Sequence, residues 1–228
     1  MNSILFQLNE WAEVWSLLIP LAILIAYRPT HKLVRPVRIY LFVALFLNLA
    51  AIVLYAFHSY MPPFLDNNNI YYNLHSVARV LFFGWFIISI RPQKSMTPYK
   101  IGLVLYLGLI LLNFVFLESP LYISSRLHAA EGLILIVLCS SFFLYTMQDE
   151  SDTNWVKHSS FFVCVGIGLY EVTTLFIYLF FYQLSSAHKE FGEVTMTIRK
   201  MCFVLLCLAL GSALYQMVKA GLAKSKTN

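Results

Sequence analysis

Seven runs of about twenty residues, each nearly free of charge and separated by short polar connectors, take up almost all of this chain. They cover residues 11–27, 38–57, 70–90, 99–117, 121–147, 155–182 and 194–218. A helix rises about 1.5 Å per residue, so a run of this length matches the hydrocarbon thickness of a bilayer. The fold class expected is all-α, a seven-transmembrane-helix bundle, with residues 1–228 forming a single integral membrane domain. Composition agrees. Hydrophobic residues make up 60% and charged residues 12% of the chain, and the mean hydropathy is +0.72. A soluble domain carries roughly 25% charged residues. No length is left over for a soluble catalytic or DNA-binding domain.

The polar connectors set the expected orientation. Arg28, Lys32, Arg35, Arg38, Arg91, Lys94, Lys100, Lys157, Lys219, Lys224 and Lys226 are eleven of the sixteen Lys and Arg, and all fall on one side of an odd-numbered bundle. Cytoplasmic loops carry the excess of such residues. The N-terminus is therefore expected outside and the C-terminus in the cytoplasm. The net charge of +5 reads as a topology signal with an attraction to anionic headgroups, and no nucleic-acid surface is expected. The segment MNSILFQLNEWAEVW lacks a basic start and does not read as a cleavable signal peptide. Pro20 predicts a kink in the first helix.

Ionisable groups inside the runs are the most informative feature. Arg79 sits near the middle of the third run, IYYNLHSVARVLFFGWFIISI, with His75 one turn before it. Counted from the outer end, His75 lies about 8 Å deep and Arg79 about 13 Å. Glu131 lies on the fifth run, one turn beyond His128 and near Arg126; Tyr170 and Glu171 lie on the sixth; Arg199 and Lys200 on the seventh. All fall in the outer half of the bundle, whereas the inner half of the same helices is Leu, Ile, Phe, Val and Cys. A charge at bilayer depth is costly and faces a partner or a wet cavity.

Two arrangements satisfy that requirement. One is a structural network of ion pairs, for example Arg79 with Glu131 and Arg199 with Glu171. The other is an outward-facing intramembrane pocket among the third, fifth, sixth and seventh helices, lined by His75, Arg79, Glu131, Tyr170, Glu171 and Arg199, with Tyr71, Tyr72 and Asn73 adding hydrogen-bonding groups. An Arg fork there would suit a small polar or anionic ligand.

Other signals are weaker. His75, His128 and Glu131 have the chemistry of a zinc site, but no HxxxH or HExxH spacing occurs, and no metal is expected. Lys200 invites comparison with retinal attachment, yet it lies at the outer start of its helix and the third helix offers no acidic counter-ion. Pro92–Gln93 has no second copy to make a PQ-loop transporter. Cys139, Cys164, Cys202 and Cys207 lie inside apolar runs and read as buried small hydrophobes. Gly166, Gly168, Gly211 and Ser212 read as close helix packing. With no nucleophile–base pair, phosphate loop or dinucleotide fingerprint, neither an enzyme nor a cofactor is expected.

The segments NLHSVARVLFFGWFI, LHAAEGLILIVLCSSFFLYTM and HSSFFVCVGIGLYEVTTLFIYLFF resemble those of uncharacterised seven-helix integral membrane proteins of the Bacteroidota. The resemblance covers the whole chain and implies a small multi-pass protein of the bacterial inner membrane, with the helix count of a G-protein-coupled receptor. Some relatives carry signalling modules. It implies no established activity.

The function expected is that of a receptor-like or sensory protein. Its cytoplasmic loops and tail are too short to be an output domain, so it would act through a cytoplasmic or membrane signalling partner. A small-solute transporter is the alternative. Transporter sites sit near the midplane on broken helices, whereas here the inner half is dry and no pocket helix has a central Pro. A structural or assembly protein with a purely structural charge network is the third reading.

Overall fold

The computed structural model describes residues 9–29, 32–57, 68–90, 97–119, 121–148, 159–185 and 189–225. Among them are seven α-helices: α1 (Ala12–Tyr27), α2 (Val34–Ala56), α3 (Asn69–Ser89), α4 (Thr97–Leu112), α5 (Ser125–Gln148), α6 (Ser159–Ser185) and α7 (Lys189–Ser225). The connectors at 58–67, 91–96 and 149–158, with Arg91, Lys94 and Lys157, lie outside the described residues, as does Lys226.

Most boundaries fall within a few residues of the apolar runs, and the departures have local causes. α2 starts at Val34, four residues before the apolar run at 38, because Pro36 sits in its first turn, where a missing N–H breaks no helical bond. α5 starts at Ser125 instead of 121 because Ser124 caps it, its Oγ accepting from the Leu127 N–H at 3.1 Å. The turn before that cap is tied to α3. Asn73 donates to the Tyr122 carbonyl at 2.9 Å and accepts from the Ser124 N–H at 3.2 Å, and Asn69 donates to the Leu121 carbonyl at 3.0 Å. α1 ends at Arg28, which takes a left-handed φ of 43° and donates its N–H to the Leu24 carbonyl at 3.1 Å. α4 widens at its end into a π-helical turn, Asn113–Leu117, closed by the Glu118 N–H on the Asn113 carbonyl at 2.8 Å.

Helix neighbours run in a closed cycle: α1 on α2, α2 on α3, α3 on α5, α5 on α6, α6 on α7, and α7 back on α1. α4 stands outside this ring and leans on α3. Tyr106 is its one buried side chain among the described residues, while Val104, Leu105, Leu109 and Leu111 are exposed. The ring encloses a core of Leu17 and Leu21, Tyr40 and Leu41, Phe83 and Phe86, Leu135 and Cys139, Cys164 and Ile167, and Phe203, Leu206 and Cys207. α6 and α7 approach closely because Gly166 has no side chain: a Cβ there would lie 2.7 Å from the Ala209 Cβ. Gly211 does the same more loosely against Ile19 of α1. Gly168 has ordinary room and Ser212 is exposed, so close packing rests on two of the four small residues expected to provide it.

Five of the helices are long and apolar enough to cross a membrane: α2 over 34–54, α4 with its π turn over 99–117, α5 over 125–148, α6 over 159–179 and α7 over 194–219. They are the mark of a multi-pass membrane protein. α1 is apolar but only 16 residues long. α3 is long enough but carries too many polar residues to belong to that set. Its Asn73, His75, Ser76 and Arg79 are buried among neighbouring helices, and Leu74 is its one exposed large hydrophobic residue. A helix enclosed by others need not match lipid.

Candidate polar site in the bundle interior

α3 brings His75 and Arg79 to the same face by their one-turn spacing, and α5 does so for His128 and Glu131. The two faces meet. Arg79 donates both Nε and Nη2 to the Glu131 carboxylate, the latter at 2.9 Å, in a bidentate fork. Its Nη1 lies 3.5 Å from His75 Nδ1, its Nε 3.6 Å from Glu171 Oε1, and its guanidinium 5.1 Å from the Tyr170 ring centre. A guanidinium only donates, so His75 Nδ1 is the acceptor. That assigns the proton to Nε2, which donates to the Tyr40 hydroxyl at 3.2 Å. His128 donates Nδ1–H to Glu131 at 3.3 Å and stacks on Tyr178, with ring centres 4.2 Å apart and planes 7° from parallel.

The charges around Arg79 are unequal in their partners. Glu131 accepts from Arg79 twice and from His128 once. Glu171 Oε1 has an ion pair with Arg79 but no hydrogen bond, and the Tyr170 hydroxyl and His128 Nε2 are likewise buried without one. Arg79 is 2% exposed and both carboxylates 1%.

Of the six candidate residues, His75, Arg79, Glu131, Tyr170 and Glu171 thus form one packed cluster. Arg199 stands apart. The expected Arg199–Glu171 pair is not formed; Arg199 Nη2 instead meets Glu13 Oε1 at 2.5 Å, and its guanidinium lies 5.1 Å from the Tyr72 ring centre. The cause is the ring order. α7 packs on α1, which carries Glu13, while Glu171 faces inward to Arg79. Glu10, three residues before Glu13 and just ahead of α1, pairs with Lys200 at 3.1 Å. Glu13 and Glu10 were not among the sequence candidates. The available signal was depth: two carboxylates at the start of the first run and two cations at the outer start of the last.

A cavity of about 410 Å³ adjoins this second layer. It is bounded by the start of α1, by α2, by the first turn of α3 and by α7, and lined by Glu10, Trp11, Glu13, Asn48, Tyr72 and Lys200 among others. None of the six candidate residues lines it. Asn48 also reaches toward the Glu13 carbonyl at 3.5 Å. Arg126, by contrast, is 61% exposed and pairs with Glu118 at 3.5 Å on the bundle surface.

Glu10, Glu13, Arg126 and Lys200 lie near the ends at which α1, α5 and α7 begin, whereas Arg79 and Glu171 sit near the middle of α3 and α6. Leu, Phe, Ile and Cys side chains make up much of the packed core around them. Chemically, the interior cluster holds three helices together by charge, and the cavity presents carboxylates, an ammonium, amides and aromatic faces. No protein family, curated protein or solved structure matches the chain.

Proposed function

We propose that this chain is a receptor-like seven-span protein of the bacterial inner membrane, with its N-terminus outside and its C-terminus in the cytoplasm. It takes a small polar ligand into the cavity between α1, α2, α3 and α7 and acts through a partner. The observation that carries this reading is the cavity: it adjoins the Glu13–Arg199 pair and is lined by two carboxylates, an ammonium, amide side chains and aromatic rings. The excess of Lys and Arg in alternate connectors supports the orientation. All seven helices are taken as spans, α1 by virtue of its apolar face and α3 because the ring shields it.

A route from cavity to interior supports a sensory role. Phe203 lies one turn beyond Arg199 on α7, edge-on to His75 at 5.9 Å and to Tyr170 at 5.8 Å between ring centres. Those two residues flank Arg79. A ligand that draws Lys200 from Glu10 would shift the start of α7, one residue from Arg199, and with it the contacts that fix Arg79, a local change coupled through packed side chains.

The test is accessibility. Cysteines placed at Asn48 and Tyr72 should react with a membrane-impermeant thiol reagent added outside, while native Cys139, Cys164 and Cys207 should not. A cytoplasmic C-terminus should leave a C-terminal alkaline phosphatase fusion inactive and a fluorescent protein fusion bright. Failure of both cavity cysteines to react in folded protein would leave only a structural charge network.

A further inference from the structure

We infer that the ligand of this cavity is a small zwitterion, carrying an ammonium and a carboxylate as a free amino acid does. The inference rests on the cavity reading above and adds the chemistry of the guest. Both signs of charge face the space. Glu10, just before α1, and Glu13, in its first turn, line the space together with Lys200 of α7. Each is already in an ion pair, Glu10 with Lys200 at 3.1 Å and Glu13 with Arg199 at 2.5 Å. The pairs balance, and that balance decides which guests are accepted.

A guest bearing one charge would take one partner of the Glu10–Lys200 pair and leave the other without a counter-charge, at the greater cost where that partner is Lys200, whose side chain is only 15% exposed. A guest bearing both charges exchanges partners without stranding either. Its carboxylate takes Lys200 from Glu10, and its ammonium bridges the released Glu10 to Glu13. The Glu10–Lys200 pair is the one to open, because the Glu10 side chain is 49% exposed and such half-solvated pairs contribute little. Trp11 and Tyr72 add aromatic faces beside the carboxylates, a surface suited to an ammonium. The volume of about 410 Å³ lies in the range of small-molecule pockets.

The experiment uses the full chain in nanodiscs. Thermal unfolding is followed with a panel of the free proteinogenic amino acids, and any that raises Tm is taken to calorimetry beside its N-acetyl form, which lacks the α-ammonium, and its carboxamide, which lacks the α-carboxylate. At least one free amino acid should bind, and both derivatives should bind at least about tenfold more weakly, a loss of about 1.4 kcal/mol. Lys200→Met and Glu10→Gln should each weaken the free amino acid by a similar factor without shifting the unliganded Tm by more than a few degrees. Equal binding of either derivative, or no binding across the panel, overturns the inference. The cysteine reactions at Asn48 and Tyr72 separate the two levels. Reactive cysteines with no amino acid bound would remove the zwitterion and keep the cavity, and unreactive cysteines would remove both.

Discussion

Glu131 and Glu171 both face Arg79 and are equally buried, yet replacing each by Gln should have very different consequences. Glu131 accepts two bonds from the guanidinium and one from His128. A bond to a charged group contributes about 1.5–3 kcal/mol, and removing one partner of a buried pair costs about 3–5 kcal/mol because the other charge is stranded. Glu131→Gln leaves Arg79 with Glu171 as its remaining anion, whose Oε1 stands 3.6 Å from Nε and can close part of that gap. The expected loss is therefore near the lower limit, about 3 kcal/mol. Glu171 Oε1 makes no hydrogen bond, so Glu171→Gln removes only a longer ion pair and should cost less than about 1 kcal/mol. In the double variant no carboxylate faces Arg79 in this cluster, and the loss should exceed the sum of the single losses. The assay is SDS-induced unfolding of the purified protein in mixed micelles, followed by helical circular dichroism. Equal losses from the two single variants, or an additive double variant, would refute the assignment of Glu131 as the principal partner of Arg79.

Gly166→Ala should destabilise by about 1–3 kcal/mol through overpacking against Ala209, and Ala209→Gly in the same chain should restore most of it, as read by the same unfolding assay. Arg199→Met should lower stability by several-fold more than Lys200→Met, since Arg199 and Glu13 are largely buried whereas the Lys200–Glu10 pair is half-solvated and worth at most about 1 kcal/mol. Asn73→Ala should cost about 1–3 kcal/mol and speed proteolysis within 118–124, because Asn73 makes two of the bonds that hold that turn on α3.

The helices were legible because an apolar run long enough for a bilayer favours a helix, and their boundaries shifted where Ser124 and Pro36 set the local start. The Arg79–Glu131 pair was legible for a related reason. Depth along a helix follows from counting residues, and those two depths agree. Depth cannot say which way a side chain points around its helix axis, and that is where the reading of Arg199 failed. Only the ring order, with α1 closing onto α7 and α4 left outside, decides whether Arg199 meets Glu171 or Glu13. That order is weakly encoded. α4 shows its place by being apolar on nearly all sides, and α3 shows its own by being the least apolar of the long helices, which is tolerable only for the one that its neighbours shield. Glu13 was overlooked because a carboxylate near the start of a run reads as a terminal residue. In the ring it is the counter-charge of Arg199 and a wall of the cavity, so the seam between α1 and α7 borders the space a ligand would enter. A seam held by charge can be opened by charge, whereas the Gly166 contact between α6 and α7 offers a polar guest no purchase. If the bundle moves on binding, the physical expectation is that it opens between α1 and α7.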